Sequence, residues 1–301
     1  MKILLIGAVI VDQMMWLDKL PQTGDDVLCK ATKSVVGGCA FNVASMLTHL
    51  NVPHELCAPV GQGIYANIIK QALQQGGYPY QEDTSGDNGY CLCLIEQNGE
   101  RTFITVEGVE GTFKREWLTH INANQYAYIY LVGYQMIGQS GHIILDWLTQ
   151  SLHNPTTQIV FAPGAAINTI GESVLDRLFA LKPIVHLNRK EILQYTHTTS
   201  LTEAISLLYA KNQNHIVVTL GSEGVAWHHH QQTAFIPTVP AQVVDTVGAG
   251  DSHIAALMAY LSKGEPWERA LQQANRIASA IVSVEGATVN HKTFLKWSID
   301  R

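Results

Sequence analysis

Apolar and polar positions along this chain change period repeatedly, and the changes delimit its elements. Residues 2–11 (KILLIGAVIV) are almost uninterruptedly apolar with β-branched side chains, which predicts a buried strand. From 38 to 50 the period becomes helical, with Val43, Leu47 and Leu50 on one face. HELCAPV (54–60) reads as a strand, and IYANIIKQALQQ (64–75) as a helix ended by Gly76-Gly77. Strand–helix pairs follow at 127–132 with 139–150 and at 157–161 with 172–181. Residues 184–187 and 214–220 are strand-like, with helical patterns at 189–194 and 201–211 between them. Two long helices, about 249–262 and 266–284, close the pattern. This alternation predicts an α/β fold whose mainly parallel sheet is covered by helices on both faces.

Two segments break the rhythm. DDVLCKATKSVV (25–36) and GYCLCLIEQNGERTFITV (89–106) alternate apolar and polar residues, as half-exposed strands do, and the second predicts a hairpin turning at Asn98-Gly99. Neither carries a crossover helix, so both are expected to leave the main sheet as a small two-stranded flap. No repeat or linker divides the chain. It reads as a single domain over 1–301, with lid segments at about 13–36 and 87–109.

Composition narrows the function. At 47% hydrophobic, 15% charged and a net charge of −6, the 301 residues are those of an ordinary soluble protein. Without a Lys/Arg run, neither nucleic acid nor an anionic membrane is an expected partner. The N-terminal apolar run is too short to span a bilayer and reads as a strand rather than a signal peptide. The cysteines (29, 39, 57, 91, 93) are odd in number and lack ligand spacing with histidines. Reduced thiols in a cytoplasmic enzyme are the expectation.

One stretch carries candidate chemistry. VVDTVGAGDSHIAAL (243–257) runs from β-branched residues into Gly248, Ala249 and Gly250, then Asp251, then a helical pattern. Small residues at a helix N-terminus leave bare amides, which together with the helix dipole form an anion site. An Asp beside a bound anion would repel it. Next to a phosphate, such a carboxylate is placed to take a proton from an attacking hydroxyl. On local chemistry alone, a tight turn with Asp251 as a first-turn helix residue is the equal alternative.

The segment Asp245 to Asp251, DTVGAGD, resembles the C-terminal signature of the PfkB/ribokinase family of carbohydrate kinases. VGGCAFNVA (36–44) is similar to that family's Gly-Gly-x-x-x-Asn-x-Ala, NRKE (188–191) to its Asn-x-x-Glu, and TLGSEG (219–224) to its Thr-x-Gly-x-x-Gly. The four follow the family's order across most of the chain. With GQG, GDNGYCL and NGERTF they resemble a bacterial sugar-kinase branch of it. The resemblance implies a ribokinase-like three-layer α/β/α sandwich with a β-strand lid, and ATP-dependent phosphorylation of an alcohol group on a sugar or nucleoside.

Carried over by residue, the resemblance makes Asp251 the catalytic base and Gly248, Ala249 and Gly250 the anion hole. Asp12, Gly37, Gly38 and Asn42 would bind the acceptor, with Cys91 and Gln135 beside it. Asn188 and Glu191 would face the phosphates, Glu191 meeting Mg²⁺ through water. Thr219, Gly221, Gly224 and Asn275 would shape the ATP groove. The resemblance also extends to a monovalent cation such as K⁺, bound by backbone carbonyls near Asp245, Val247 and the SVEGA turn (283–287). A homodimer through the lid is expected, because a flap standing off the sheet is an exposed edge.

Departures cluster around the acceptor and phosphate pockets. Cys39 replaces the Lys of ribokinases, VGQG (60–63) lacks the usual Asp, and Ala162 in FAPG stands where many members carry Asp. Ser252-His253 replaces Thr-Phe, and Gln135 lies near a sugar-binding Glu position. These put the substrate in question rather than the chemistry. GQGIYA (61–66) satisfies G-x-G-x-x-A with Glu82 beyond it, so an NAD-dependent dehydrogenase is the runner-up. A catalytically silent sugar- or nucleoside-binding protein on the same fold would predict loss of Asp251 or of the glycine turn, and both are present. Cys91-x-Cys93 lacks a second pair for a metal and reads as strand packing. His228-His229-His230 reads as a solvated hairpin.

Overall fold

The computed structural model describes residues 2–97 and 100–297. In chain order the first half holds β1 (Lys2–Ile6), β2 (Ile10–Trp16), β3 (Ala31–Gly37), α1 (Cys39–His49), β4 (His54–Cys57), β5 (Pro59–Val60), α2 (Ile64–Gly76), β6 (Gln81–Glu82), β7 (Tyr90–Ile95) and β8 (Arg101–Val106). The second half holds β9 (Tyr126–Val132), α3 (Gly138–Ser151), β10 (Gln158–Ala162), α4 (Glu172–Ala180), β11 (Ile184–Asn188), α5 (Arg189–Thr196), α6 (Leu201–Asn212) and β12 (Ile216–Thr219). It ends with β13 (Val225–His229), β14 (Gln232–Ile236), α7 (Ala249–Ser262), α8 (Trp267–Ile281) and α9 (His291–Leu295).

The main sheet has eight strands in the order β14-β13-β12-β11-β10-β9-β1-β4. Pairing is parallel from β4 through β12, and the β13–β14 hairpin adds an antiparallel edge. In β1 successive side chains serve opposite layers. Ile3 and Leu5 join a core with α1, α2, α7 and α8, whereas Leu4 and Ile6 join one with α3, α4, α5 and α6. Both faces are covered, which is why the strands read as continuous apolar runs. Helix α7 is buried at every position from Ser252 to Tyr260, consistent with its apolar residues on all sides.

A second sheet of four strands, β3-β2-β7-β8, stands apart with its own small core of Met14, Cys93 and Ile95. Here the structure corrects the pattern reading. Residues 2–11 are not one strand: β1 ends at Ile6, and Ile10 begins β2 in the other sheet. The predicted two-stranded flap therefore has four strands. Within 25–36, residues 25–30 form no strand and β3 starts at Ala31. Residues 54–60 divide into β4 and β5. The Asn98-Gly99 turn lies outside the described residues.

Candidate active site

Three cavities meet at the N-terminus of α7. The first, about 260 Å³, lies between the small sheet and the 285–288 loop and is lined by Asp12, Lys33, Cys93, Arg101, Val247 and Glu285 among others. The second, about 250 Å³, opens at the carboxyl ends of β9 to β12 and includes Cys39, Asn188, Glu191 and Asp251. Ligands of open parallel sheets bind at such strand ends. The third, about 520 Å³, includes Thr219, Gly221, Gly224, His253 and Asn275. One turn borders all three. Val247 faces the first, Asp251 the second, Ala249 the third, and Gly250 both the second and the third.

Local chemistry shapes that turn. Gly248 caps α7 at φ 76, a left-handed conformation, and a Cβ there would lie 2.6 Å from the backbone of Ala287. Ala249 N–H donates to Thr246 O at 3.3 Å and Ser252 N–H to Gly248 O at 2.8 Å. Among the described residues, no protein acceptor meets the N–H groups of Gly250 and Asp251. Around a Cβ built on Gly250 there is open space. The turn thus presents free amides to the cavities, at the positive end of a helix.

Asp251 is held from α1. Asn42 Nδ2 donates to its Oδ2 at 2.8 Å, and the Cys39 thiol donates to the same carboxylate. Burial pushes Asp251 up to about 6, against the opposing pull of those two donors. Asp12, on β2, is also pushed up to about 6, by burial first and then by the charge of Asp251. The double glycine makes this proximity feasible. A Cβ on Gly37 would sit 2.0 Å from Asp12 Oδ2, and one on Gly38, at φ 97, would sit 2.7 Å from Ala8 O. Asn42 Oδ1 is buried and has no hydrogen-bond partner among the described residues.

On the far side, Asn188 and Glu191 cap α5 reciprocally. Asn188 Oδ1 accepts from Glu191 N–H and Glu191 Oε2 accepts from Asn188 N–H, both at 2.9 Å. Burial raises the Glu191 carboxyl despite these bonds. Asn275 is equally engaged: Nδ2 donates to Ile236 O and Pro237 O, leaving Oδ1 to accept from His253 Nε2 at 3.2 Å. That assignment makes His253 Nδ1 an acceptor, so His186 Nε2–H donates to it at 2.9 Å. Burial keeps both rings neutral, pushing His253 down to about 4.

Residues 1–293 match the pfkB family carbohydrate kinases. The chain belongs to that family. It is 34% identical over 289 residues to the uncharacterized sugar kinase YegV of Escherichia coli, covering 94% of this chain and 89% of the relative. Ribokinase of Bacillus subtilis is 26% identical over 288 residues, covering 95% and 94%. Among solved structures, ribokinase of Thermotoga maritima superposes with a TM-score of 0.85 at 18% identity, covering 98% of each chain. Burkholderia thailandensis nucleoside kinase superposes at 0.79 with 17% identity, covering 100% and 97%. The fold is the ribokinase-type sandwich, and the protein is a sugar or nucleoside kinase of this family.

Several expected residues of this pfkB kinase lie elsewhere. Gln135 is buried outside the three cavity walls, with Nε2 on Glu110 O at 3.5 Å. Cys91 accepts from Thr105 Oγ1, and it is Cys93 that lines the first cavity. The dinucleotide reading of GQGIYA fails. Asp87 fills the N-terminus of α2, its carboxylate accepting from Tyr65 N–H at 3.1 Å and Ala66 N–H at 2.7 Å. Glu82 pairs instead with Lys70. The β13–β14 hairpin turns at His230 and Gln231, both at positive φ, while His229 stacks on His215 with 3.6 Å between centroids. Among the described residues no cluster of His, Cys, Asp and Glu suits a metal, and no helix is long and apolar enough to cross a membrane.

Asp245 is fully engaged: Oδ1 accepts from Val247 N–H at 2.9 Å and from Arg101 at 2.7 Å, and Oδ2 from Gly286 N–H at 2.8 Å. Sequence reasoning named the SVEGA turn that holds Glu285 but overlooked Arg101 and Lys33, which join it in a cavity assembled from segments remote in sequence. It also overlooked the His186–His253 pair, of which the unusual Ser252-His253 was the visible half.

Proposed function

We propose that this kinase transfers the γ-phosphoryl group of ATP to a hydroxyl of an uncharged sugar or nucleoside, with Asp251 as general base. One observation carries the reading: Asp251 stands beside free helix-terminal amides where the three cavities meet. The acceptor occupies the first cavity beside Asp12, while Asn42 orients the Asp251 carboxylate through its Nδ2. Asp251 takes the hydroxyl proton as the oxygen bonds to γ-phosphorus, and the bond to the bridging oxygen of ADP breaks. Amides at Gly248 and Gly250 stabilise the charge on the transferring group. Thr219, Gly221, Gly224 and Asn275 shape the third cavity for the nucleotide, and Asn188 with Glu191 lies on the phosphate path between. Mg²⁺ brought with ATP would supply neutralising charge to the phosphates, and Glu191 is the carboxylate on that path that would meet it through water.

Charge in the first cavity favours neutral acceptors. Its two basic residues are already committed, Arg101 to Asp245 at 2.7 Å and Lys33 to Glu285 at 3.5 Å, while among the described residues Asp12 has no cationic partner. A carboxylate or phosphate on the acceptor would meet that Asp without a free counter-charge. The small sheet serves as the lid over this cavity. Its edge strand β8 exposes Phe103, Ile104 and Val106 (55%, 49% and 41%), an uncovered edge that a second copy of the chain would bury.

An ATP-consumption panel of pentoses, hexoses, keto-sugar acids, sugar phosphates and nucleosides tests the reading. An uncharged sugar or nucleoside should show the highest kcat/KM. Preference for an acid or phosphate contradicts the charge argument, and turnover with no acceptor contradicts the kinase assignment of the site.

A further inference from the structure

A buried carboxylate with a cation delivered from another sheet sets Asp245 apart. Its side chain is 0% exposed, and Arg101, reaching in from β8, is 16% exposed. Through its two backbone acceptances Asp245 ties the turn before α7 to the 285–287 loop, at Val247 N–H and Gly286 N–H. The same two segments touch again where Gly248 lies against Ala287. A monovalent cation at Asp245, which the family implies, does not fit this arrangement. Among the described residues, the Asp245 carboxylate already accepts two amides and a guanidinium, and a second positive charge beside Arg101 would be repelled at short range even if backbone carbonyls held it.

We propose that Arg101 is itself the cation of this site, a positioning residue that the small sheet inserts against Asp245. Docking of the guanidinium fixes the 245–248 turn on the 285–287 loop and thereby sets the amides of Gly248 and Gly250. Closure of the small sheet and assembly of the phosphoryl site are then one event. The inference rests on reading that turn as the phosphoryl site, and two of its three tests need no acceptor.

The first test uses K⁺ alone, on wild type, Arg101→Gln and Arg101→Lys, by thermal unfolding in potassium and choline salts of equal ionic strength. Wild type and Arg101→Lys should melt at the same temperature in both salts. Arg101→Gln should melt lower in choline and recover in potassium, as the vacated carboxylate recruits an ion. Equal K⁺ stabilisation of wild type and Arg101→Gln, or no K⁺ response in Arg101→Gln, overturns the proposal. If Arg101→Gln does not fold, Arg101→Lys decides by its insensitivity to K⁺. Second, hydrogen exchange over 243–250 and 282–288 should accelerate by about 10-fold in Arg101→Gln, the scale of a modest coupling, with 219–224 unchanged. Unchanged exchange in the first two segments contradicts it. Third, with an acceptor from the panel, Arg101→Gln should lose kcat by about 10-fold with KM for ATP nearly constant. A rise in KM with kcat intact contradicts positioning. Absence of wild-type turnover would sink the kinase reading while leaving the first two tests standing.

Discussion

Asp12 and Asp251 reach the same pKa range by different routes. Burial lifts both, but Asp251 keeps two donors, from Asn42 and Cys39, whereas the further influence on Asp12 is the charge of Asp251. A base must be ionised to work, so kcat/KM for the acceptor should rise with pH through about 6 and level off above it. A pH–rate profile checks this, and a flat profile from pH 5 to 8 counts against the assignment. Stability runs the other way. The folded state retains the Asp251 proton between the ordinary 3.8 and about 6, so stability present at low pH is lost as pH rises through that window. Asp251→Asn should therefore melt above wild type at pH 8, with the gap closing toward pH 4. The helix start at Asp251 was legible because small residues precede an acid there, but local chemistry left its role open and the family resemblance supplied it. Arg101 was not, since nothing local to NGERTF points to a carboxylate on the far side of a cavity.

At the level of elements, the helices and the parallel strands were legible because each keeps one period for its whole length. β1 and β2 merged in the pattern reading because both are apolar and three residues, Gly7 to Val9, hide the change of sheet. The glycine turn shows a finer division of labour than its spelling. Gly248 carries the left-handed backbone, while Gly250 has a free amide and open space around it. Gly250→Val should accordingly fold with a near-native Tm yet lose kcat by about 10²-fold, as its side chain projects over the anion site. Gly248→Val should instead lower Tm, by clash with Ala287 and by strain. Full activity in a folded Gly250→Val variant would move the anion hole elsewhere.

For the whole molecule, a sheet with a three-residue core of its own stands over the first cavity and is tied to the body by the Arg101–Asp245 and Lys33–Glu285 pairs. Such an element sits at the low-stability end of a structure and is suited to open and close. Its exposed β8 edge predicts self-association. Wild type should sediment as a dimer and Ile104→Lys as a monomer, and a wild-type monomer at micromolar concentration contradicts lid-to-lid pairing. The lid's place was legible from its alternating strands. Its four-stranded build was not, since β2 belongs to it through pairing with β3 and β7 rather than through any local signal.

Proton transfer to one carboxylate is central to the proposed function, and the kcat of Asp251→Asn with the best acceptor of the panel tests it directly. The amide is nearly isosteric with the acid, so packing and nucleotide affinity should persist, but it takes no proton. Loss of kcat by at least about 10²-fold, with the dissociation constant for ATP unchanged, is the expected result. Wild-type turnover in that variant would contradict Asp251 as the base.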